Sequence, residues 1–259
     1  MRLATIVPTA ANRFRTGILA LITAAAIVAL ALHGRIPQDP AYHRFADTRA
    51  IAGVDNFWNV LSNLPFLLFG LYGLSRRSRL AEPASRNGYT ALCIGVLLVG
   101  FGSAYYHYAP SSQSLIWDRL PMTVAFMALF SLLLEERQVL GPGAKTLWPL
   151  LILGVCSVAY WYWTETRGLG DLRPYVLVQF LPILLIPMIL LLFPGKYLKS
   201  GFLVSALVLY FAAKGFEQYD RQVFAAIGAV SGHTIKHLVA SVAVLCIVLA
   251  VPTAVIRAD

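Results

Sequence analysis

Charge is scarce in this chain. Only 13% of its 259 residues are Asp, Glu, Lys or Arg, and 58% are apolar. A soluble domain of this length carries roughly twice that share of charge, so the shortage excludes one. Cysteine is scarcer still. Cys93, Cys156 and Cys246 stand far apart, inside apolar stretches, with no Cys-x-x-Cys pair. That excludes a disulfide framework and a thiolate metal site and leaves packing as their role. No internal repeat or low-complexity tract is present, nor a pair of interrupted spans in matching halves. A transporter built from repeats therefore finds no support.

Long apolar runs are what the chain has instead. Its mean hydropathy is +0.69. A membrane-crossing helix needs about 20 mostly apolar residues, and eight stretches qualify, near 14–33, 57–75, 88–107, 119–135, 146–163, 175–194, 199–216 and 231–252. Short connections predict one all-α membrane bundle without a separate soluble domain. Residues 1–16 hold Arg2, Arg13 and Arg15 before the apolar run Ile18 to Leu32. A signal peptide has this form, and Ala29-Leu30-Ala31 offers the small residues of a cleavage site. The long flank and long core favour a retained anchor helix. The net charge of +9 points to cytoplasmic loops and anionic lipid headgroups, not to nucleic acid.

With eight spans, the side holding both termini carries 12 Lys and Arg, and the other side 8, with Lys236 inside the last span. The positive-inside rule then places both termini in the cytoplasm. Trp58, Trp117, Trp161 and Trp163 fall at the outer interface and Trp148 at the inner one.

This topology gathers the chemistry at one depth. Residues 231–238, Ser-Gly-His-Thr-Ile-Lys-His-Leu, open the last span. His233 and His237 are four residues apart, so on a helix they share a face and can bind one metal ion. His107 ends the third span, and Asp118 opens the fourth, both at the outer level. Ser103 lies one turn from His107 on the same face. Three histidines with an open position are the pattern of a catalytic zinc, which lowers the pKa of water to about 7. Asp118 fits as general base and Ser103 as donor to an oxyanion. Each also has a plain structural role available. Asp118 can cap a helix, Ser103 can bond back to its own helix, and the histidines can be interfacial polar groups. Asn59, Ser62 and Asn63 at the start of the second span are unusual for a lipid-facing helix and are expected to face the interior.

Asn59…Ser62-Asn63-Leu64-Pro65-Phe66, Gly102-Ser103-x-x-x-His107, Asp118-x-x-Pro121-Met122 and His233-x-x-x-His237 occur in this order. Together they resemble the alkaline ceramidases, within the CREST superfamily of membrane hydrolases that also holds the progestin and adiponectin receptors. The resemblance spans residues 44–250 or so. It implies a seven-helix core, zinc on His107, His233 and His237, Ser103 and Asp118 near the bound water, and hydrolysis of the amide of ceramide-like lipids to a sphingoid base and a fatty acid. The first apolar run then becomes an additional N-terminal transmembrane helix, dividing the chain into residues 1–36 and a seven-helix domain, 37–259. The segment 45–57 is shorter and less acidic than the calcium-binding segment of animal and yeast relatives. Asp47, Asn56 and Asp55 supply few oxygens for a calcium ion. Lys214 to Arg221 is similar to the bacterial ceramidase-like branch, and Lys214, Glu217 and Asp220 are expected to form an ion-pair cluster or a solvated loop. The expected partner is a bilayer lipid entering sideways, cleaved at the outer face. The rival readings are a receptor-like sensor with a structural zinc and a lipid ester hydrolase.

Overall fold

A computed structural model describes residues 10–80, 82–141 and 145–252. Arg2 and Arg257 of the charge count lie outside them. Helix dominates because a backbone in hydrocarbon must satisfy its own N–H and C=O groups. Among the described residues, eight helical spans are long and apolar enough to cross a membrane. In chain order the helices are α1 (Ala10–Leu32), α2 (Phe57–Leu61), α3 (Leu64–Arg76), α4 (Pro83–Tyr108), α5 (Ser112–Glu136), α6 (Leu147–Glu165), α7 (Arg173–Leu192), α8 (Ser200–Gln218), α9 (Asp220–Ile227) and α10 (Gly232–Ala250). This is an all-α membrane protein. α4 packs mainly on α5, α10 on α8 and α3 on α4. α1 lies against α7 and turns Phe14, Leu21 and Leu32 outward.

The second span departs from a single straight helix. It breaks at Ser62–Asn63 between α2 and α3. Asn63 Nδ2 donates to Asn59 O at 2.7 Å, Ser62 Oγ donates to the same carbonyl at 3.2 Å, and Pro65 occupies the first turn of α3. Short polar side chains that bond their own backbone compete with helix continuation, and Pro is at home only in a first turn. The buried Asn59, Ser62 and Asn63 face the interior, as their polarity predicts.

Two close approaches set the end of the bundle that matters. Pro121 inside α5 lacks an N–H, which leaves the Trp117 carbonyl without its helical partner. That carbonyl lies against Gly102 of α4, where any Cβ would collide with it. Ser103 and Asp118, the next residue on each helix, are thereby brought together. Likewise Gly232 lets the start of α10 press onto the Phe216 carbonyl and the Asp220 backbone. All three cysteines are free. Cys93 is buried and Cys246 half-buried, but Cys156 faces outward, so packing does not account for it.

Candidate metal centre

The start of α10 is built to hold histidines. Ser231 caps it, accepting from Thr234 N at 3.2 Å. Asp220, at the first turn of α9, accepts from His233 N at 2.7 Å and from Ala46 N at 2.9 Å. Asn59 of α2 ties three elements together. Its Oδ1 accepts from Thr234 Oγ1 at 2.8 Å, and its Nδ2 donates to Asp47 O at 3.2 Å. Asn56 Nδ2 donates to His107 O at 2.9 Å, fixing the last turn of α4. Phe45 packs on the His107 and His233 rings, at 4.6 and 4.7 Å between centroids.

The three sequence-predicted histidines come together. Their ring centroids stand 4.7, 4.8 and 4.8 Å apart, all three are buried, and their candidate ligand atoms lie within 4.8 Å of one another. His107 Nε2 and His233 Nε2 face each other at 3.3 Å. Two nitrogens each about 2.0–2.1 Å from a tetrahedral zinc stand roughly 3.3 Å apart, so this pair already has the spacing of two ligands. His237 Nδ1 lies 2.8 Å from Ser62 Oγ. Since Ser62 donates to Asn59 O, it accepts from His237 Nδ1–H, and that tautomer leaves the Nε2 lone pair free for an ion. A ligating imidazole uses its second nitrogen this way. The donor set therefore fits zinc or a similar divalent ion.

Ser103 and Asp118 are both buried and stand near each other across the close contact of α4 with α5. Both line a cavity of about 450 Å³ together with His237, whereas His107 and His233 do not line it. Its wall is otherwise mostly apolar, with Phe66, Val96, Leu129, Ile186, Leu203 and Val244 among the lining residues. A volume of this order suits a small-molecule or lipid site.

The ceramidase family model matches residues 43–193. The chain belongs to the ceramidase family. The match takes in Ser103, His107 and Asp118 and ends before α10, so the ceramidase model does not cover His233 and His237. Among curated proteins and among solved structures, none matches the chain.

Three details differ from what the sequence suggested. The cluster beside the site joins Lys214, Glu217 and Lys236, not Asp220. Glu217 accepts from Lys214 at 2.5 Å and from Lys236 at 2.8 Å, and Lys236 Nζ lies 3.3 Å from His233 Nε2. A lysine inside a span, next to a histidine pair, was the available signal for it. Arg119 is a second buried cation that spacing arguments passed over; its signal was an arginine directly after Asp118 in an apolar run. Thirdly, the calcium reading loses its main ligand. Both Asp47 carboxylate oxygens accept from Arg49, at 2.8 and 2.6 Å, and this pairing holds the acid below its usual range. Outside the spans, burial and the nearby Arg119 charge hold the His43 imidazole below its usual value, and its Nδ1 lies 2.9 Å from the Tyr106 hydroxyl.

Proposed function

We propose that this protein is a zinc-dependent hydrolase that cleaves the amide of ceramide-like lipids to a sphingoid base and a fatty acid. The observation that carries the reading is the buried His107–His233–His237 cluster, whose two facing Nε2 atoms stand 3.3 Å apart and whose third member, His237, lines a cavity of about 450 Å³. Membership of the ceramidase family supports the amide-hydrolase chemistry. A zinc ion on the three histidines supplies Lewis acidity that polarises a carbonyl and activates water near neutral pH.

The side chains do the rest. Apolar walls hold the acyl and sphingoid chains and leave the amide at the mouth of the histidine cluster. Asp118 takes the proton from the attacking water and returns it to the amine nitrogen as the C–N bond breaks. The Ser103 hydroxyl, turned from Asp118 to the substrate, donates to the developing oxyanion. Ser62 keeps His237 in the ligating tautomer. In the membrane, both termini lie in the cytoplasm and the site opens at the outer face, where the lipid amide sits at headgroup level.

The test is elemental analysis of protein purified in detergent, wild type against His233→Ala, paired with a ceramide-hydrolysis assay. About one zinc per chain, lost in the variant together with activity, is the expected result. A folded, metal-free wild type that hydrolyses nothing would sink the reading.

A further inference from the structure

One buried cation at the polar end of the cavity has no part in that scheme. Arg119 lines the same cavity as Ser103, Asp118 and His237 and is 4% exposed. Its guanidinium is clamped among three rings, 4.2 Å from the Trp161 centroid, 4.7 Å from Tyr175 and 5.6 Å from Tyr42. Nη2 donates to Gln38 Oε1 at 2.6 Å, and the Tyr42 hydroxyl stands beside the group. Nη1 makes no hydrogen bond. Arg119 also forms no ion pair with any described carboxylate. A buried guanidinium is costly unless acceptors and an anion offset it. Here its direct partners are neutral groups and ring faces, and one arm of the fork makes no hydrogen bond.

Neighbouring charges do not close the gap. Lys214 and Lys236, which also line the cavity, share the single carboxylate of Glu217. Asp118 sits beside Ser103 and meets Arg119 only at longer range. Asp39 lines the cavity as well, but it is exposed and caps Ala41 N at 2.8 Å. The neutral hydroxyls of a simple ceramide would leave the arginine uncompensated. A carboxylate or phosphate matches a planar fork whose orientation stacking has already fixed.

We infer that the amide lipid taken by this cavity carries an anionic oxygen group, a carboxylate or a phosphate, on the head side of its amide, and that Arg119 is the residue that reads it. The inference rests on the amide-hydrolase reading above and shifts its substrate from neutral ceramides to anionic N-acyl lipids, whose amine product is a sphingoid base phosphate or an amino acid. The acyl chain runs into the apolar part of the cavity, and the charged head stays beside α5.

The full-length protein tests this with matched lipids of one chain length. One pair is an N-acyl sphingoid base and its phosphate monoester; the other is an N-acyl amino acid and its methyl ester. In each pair the charged member is expected to have a kcat/KM about tenfold higher or more, carried by KM. The pair with the larger ratio tells carboxylate from phosphate. Arg119→Gln is expected to bring the ratio to within about twofold, and Arg119→Lys, which keeps the charge without the fork, to an intermediate value. Equal turnover within both pairs of the wild type, or a preference that survives Arg119→Gln, overturns the inference. A second readout needs no turnover: quenching of tryptophan emission in metal-free protein titrated with the acyl amino acid and its ester. Tighter binding of the acid in wild type, lost in Arg119→Gln, with no lipid hydrolysed, would leave the anion site standing and the hydrolase reading fallen. Hydrolysis without any charge preference would do the reverse.

Discussion

Two buried polar clusters sit at opposite ends of α5, and they are built on opposite principles. Glu136, at the last residue, is fully buried. Its Oε1 accepts from the N–H groups of Lys196, Tyr197 and Leu198 at 2.7, 3.0 and 3.1 Å, and its Oε2 from Arg137 Nε at 3.0 Å. Arg137 goes on to Phe193 O at 2.6 Å and Ser200 Oγ at 2.7 Å. Every arm is used, and the network pins the connection between α7 and α8. About 27 Å away along the helix, the histidine cluster is left open. His107 Nδ1 and Arg119 Nη1 have no hydrogen-bond partner, and two imidazole nitrogens face each other across 3.3 Å. Buried polar groups are normally satisfied, so exceptions ask for an explanation. In the Glu136 network the polar groups hold the chain. In the other cluster they wait for something the chain does not supply.

If that contrast is right, substitutions at the two ends fail in different ways. Asp118→Asn keeps the volume and removes the proposed base. It is expected to lower kcat by about 10²- to 10⁴-fold while zinc content and melting temperature stay near wild type. Unchanged kcat would reduce Asp118 to a buried polar residue within α5. Glu136→Ala should do the converse. Losing one partner of a buried ion pair costs about 3–5 kcal/mol, so thermal stability in detergent falls sharply. The protein that remains folded should keep its zinc and its turnover per molecule. A folded Glu136→Ala protein that had lost its metal would break the comparison.

The sequence made much of this visible, and the reason is physical. Apolar runs near 20 residues have one solution in a membrane, so all eight spans were legible. Their bounds were less so, and the fourth begins at Ser112, seven residues before the expected 119. The histidine cluster was legible because alternating span direction puts the end of the third span and the starts of the fourth and last at one depth. What stayed hidden depends on side-chain reach. Nothing in the spacing says that Lys236, not Asp220, shares Glu217 with Lys214, or that Asp47 is taken by Arg49. The break at Ser62–Asn63 was present as polarity but not as geometry, because a hydrogen bond back to Asn59 O is a choice between partners. The Glu136 network joins residues about 60 apart in sequence, and no local pattern announces it.

Ser62 sharpens the comparison from within the open cluster. It has no place in the proposed reaction and meets His237 at the far nitrogen while donating to Asn59 O. Ser62→Ala removes the partner that fixes the ligating tautomer, and such changes weaken metal affinity by about 10- to 100-fold. Competition with a chelator measures this directly. An affinity equal to wild type would mean that His237 finds its tautomer unaided.

Asp171 separates satisfaction from location, with the smallest expected effect. It lies between α6 and α7, at the same end of the bundle as the histidines, yet it is as fully bonded as Glu136. Its carboxylate accepts from Arg173 Nε at 2.9 Å, Arg173 Nη2 at 2.8 Å and Tyr160 Oη at 3.1 Å. These bonds, Arg173 first, hold its pKa to about 2. A carboxylate depressed in the folded state stabilises above its unfolded value, about 3.9, and that contribution disappears as pH falls toward 2. Asp171→Asn should therefore lower the melting temperature by a few degrees at pH 7. The gap to wild type should narrow between about pH 4 and pH 2, and zinc content and kcat/KM should not move. A loss of activity at neutral pH without a loss of stability would show that position at this end, not unmet bonding, marks the functional groups, and the contrast between the two clusters would have to be abandoned.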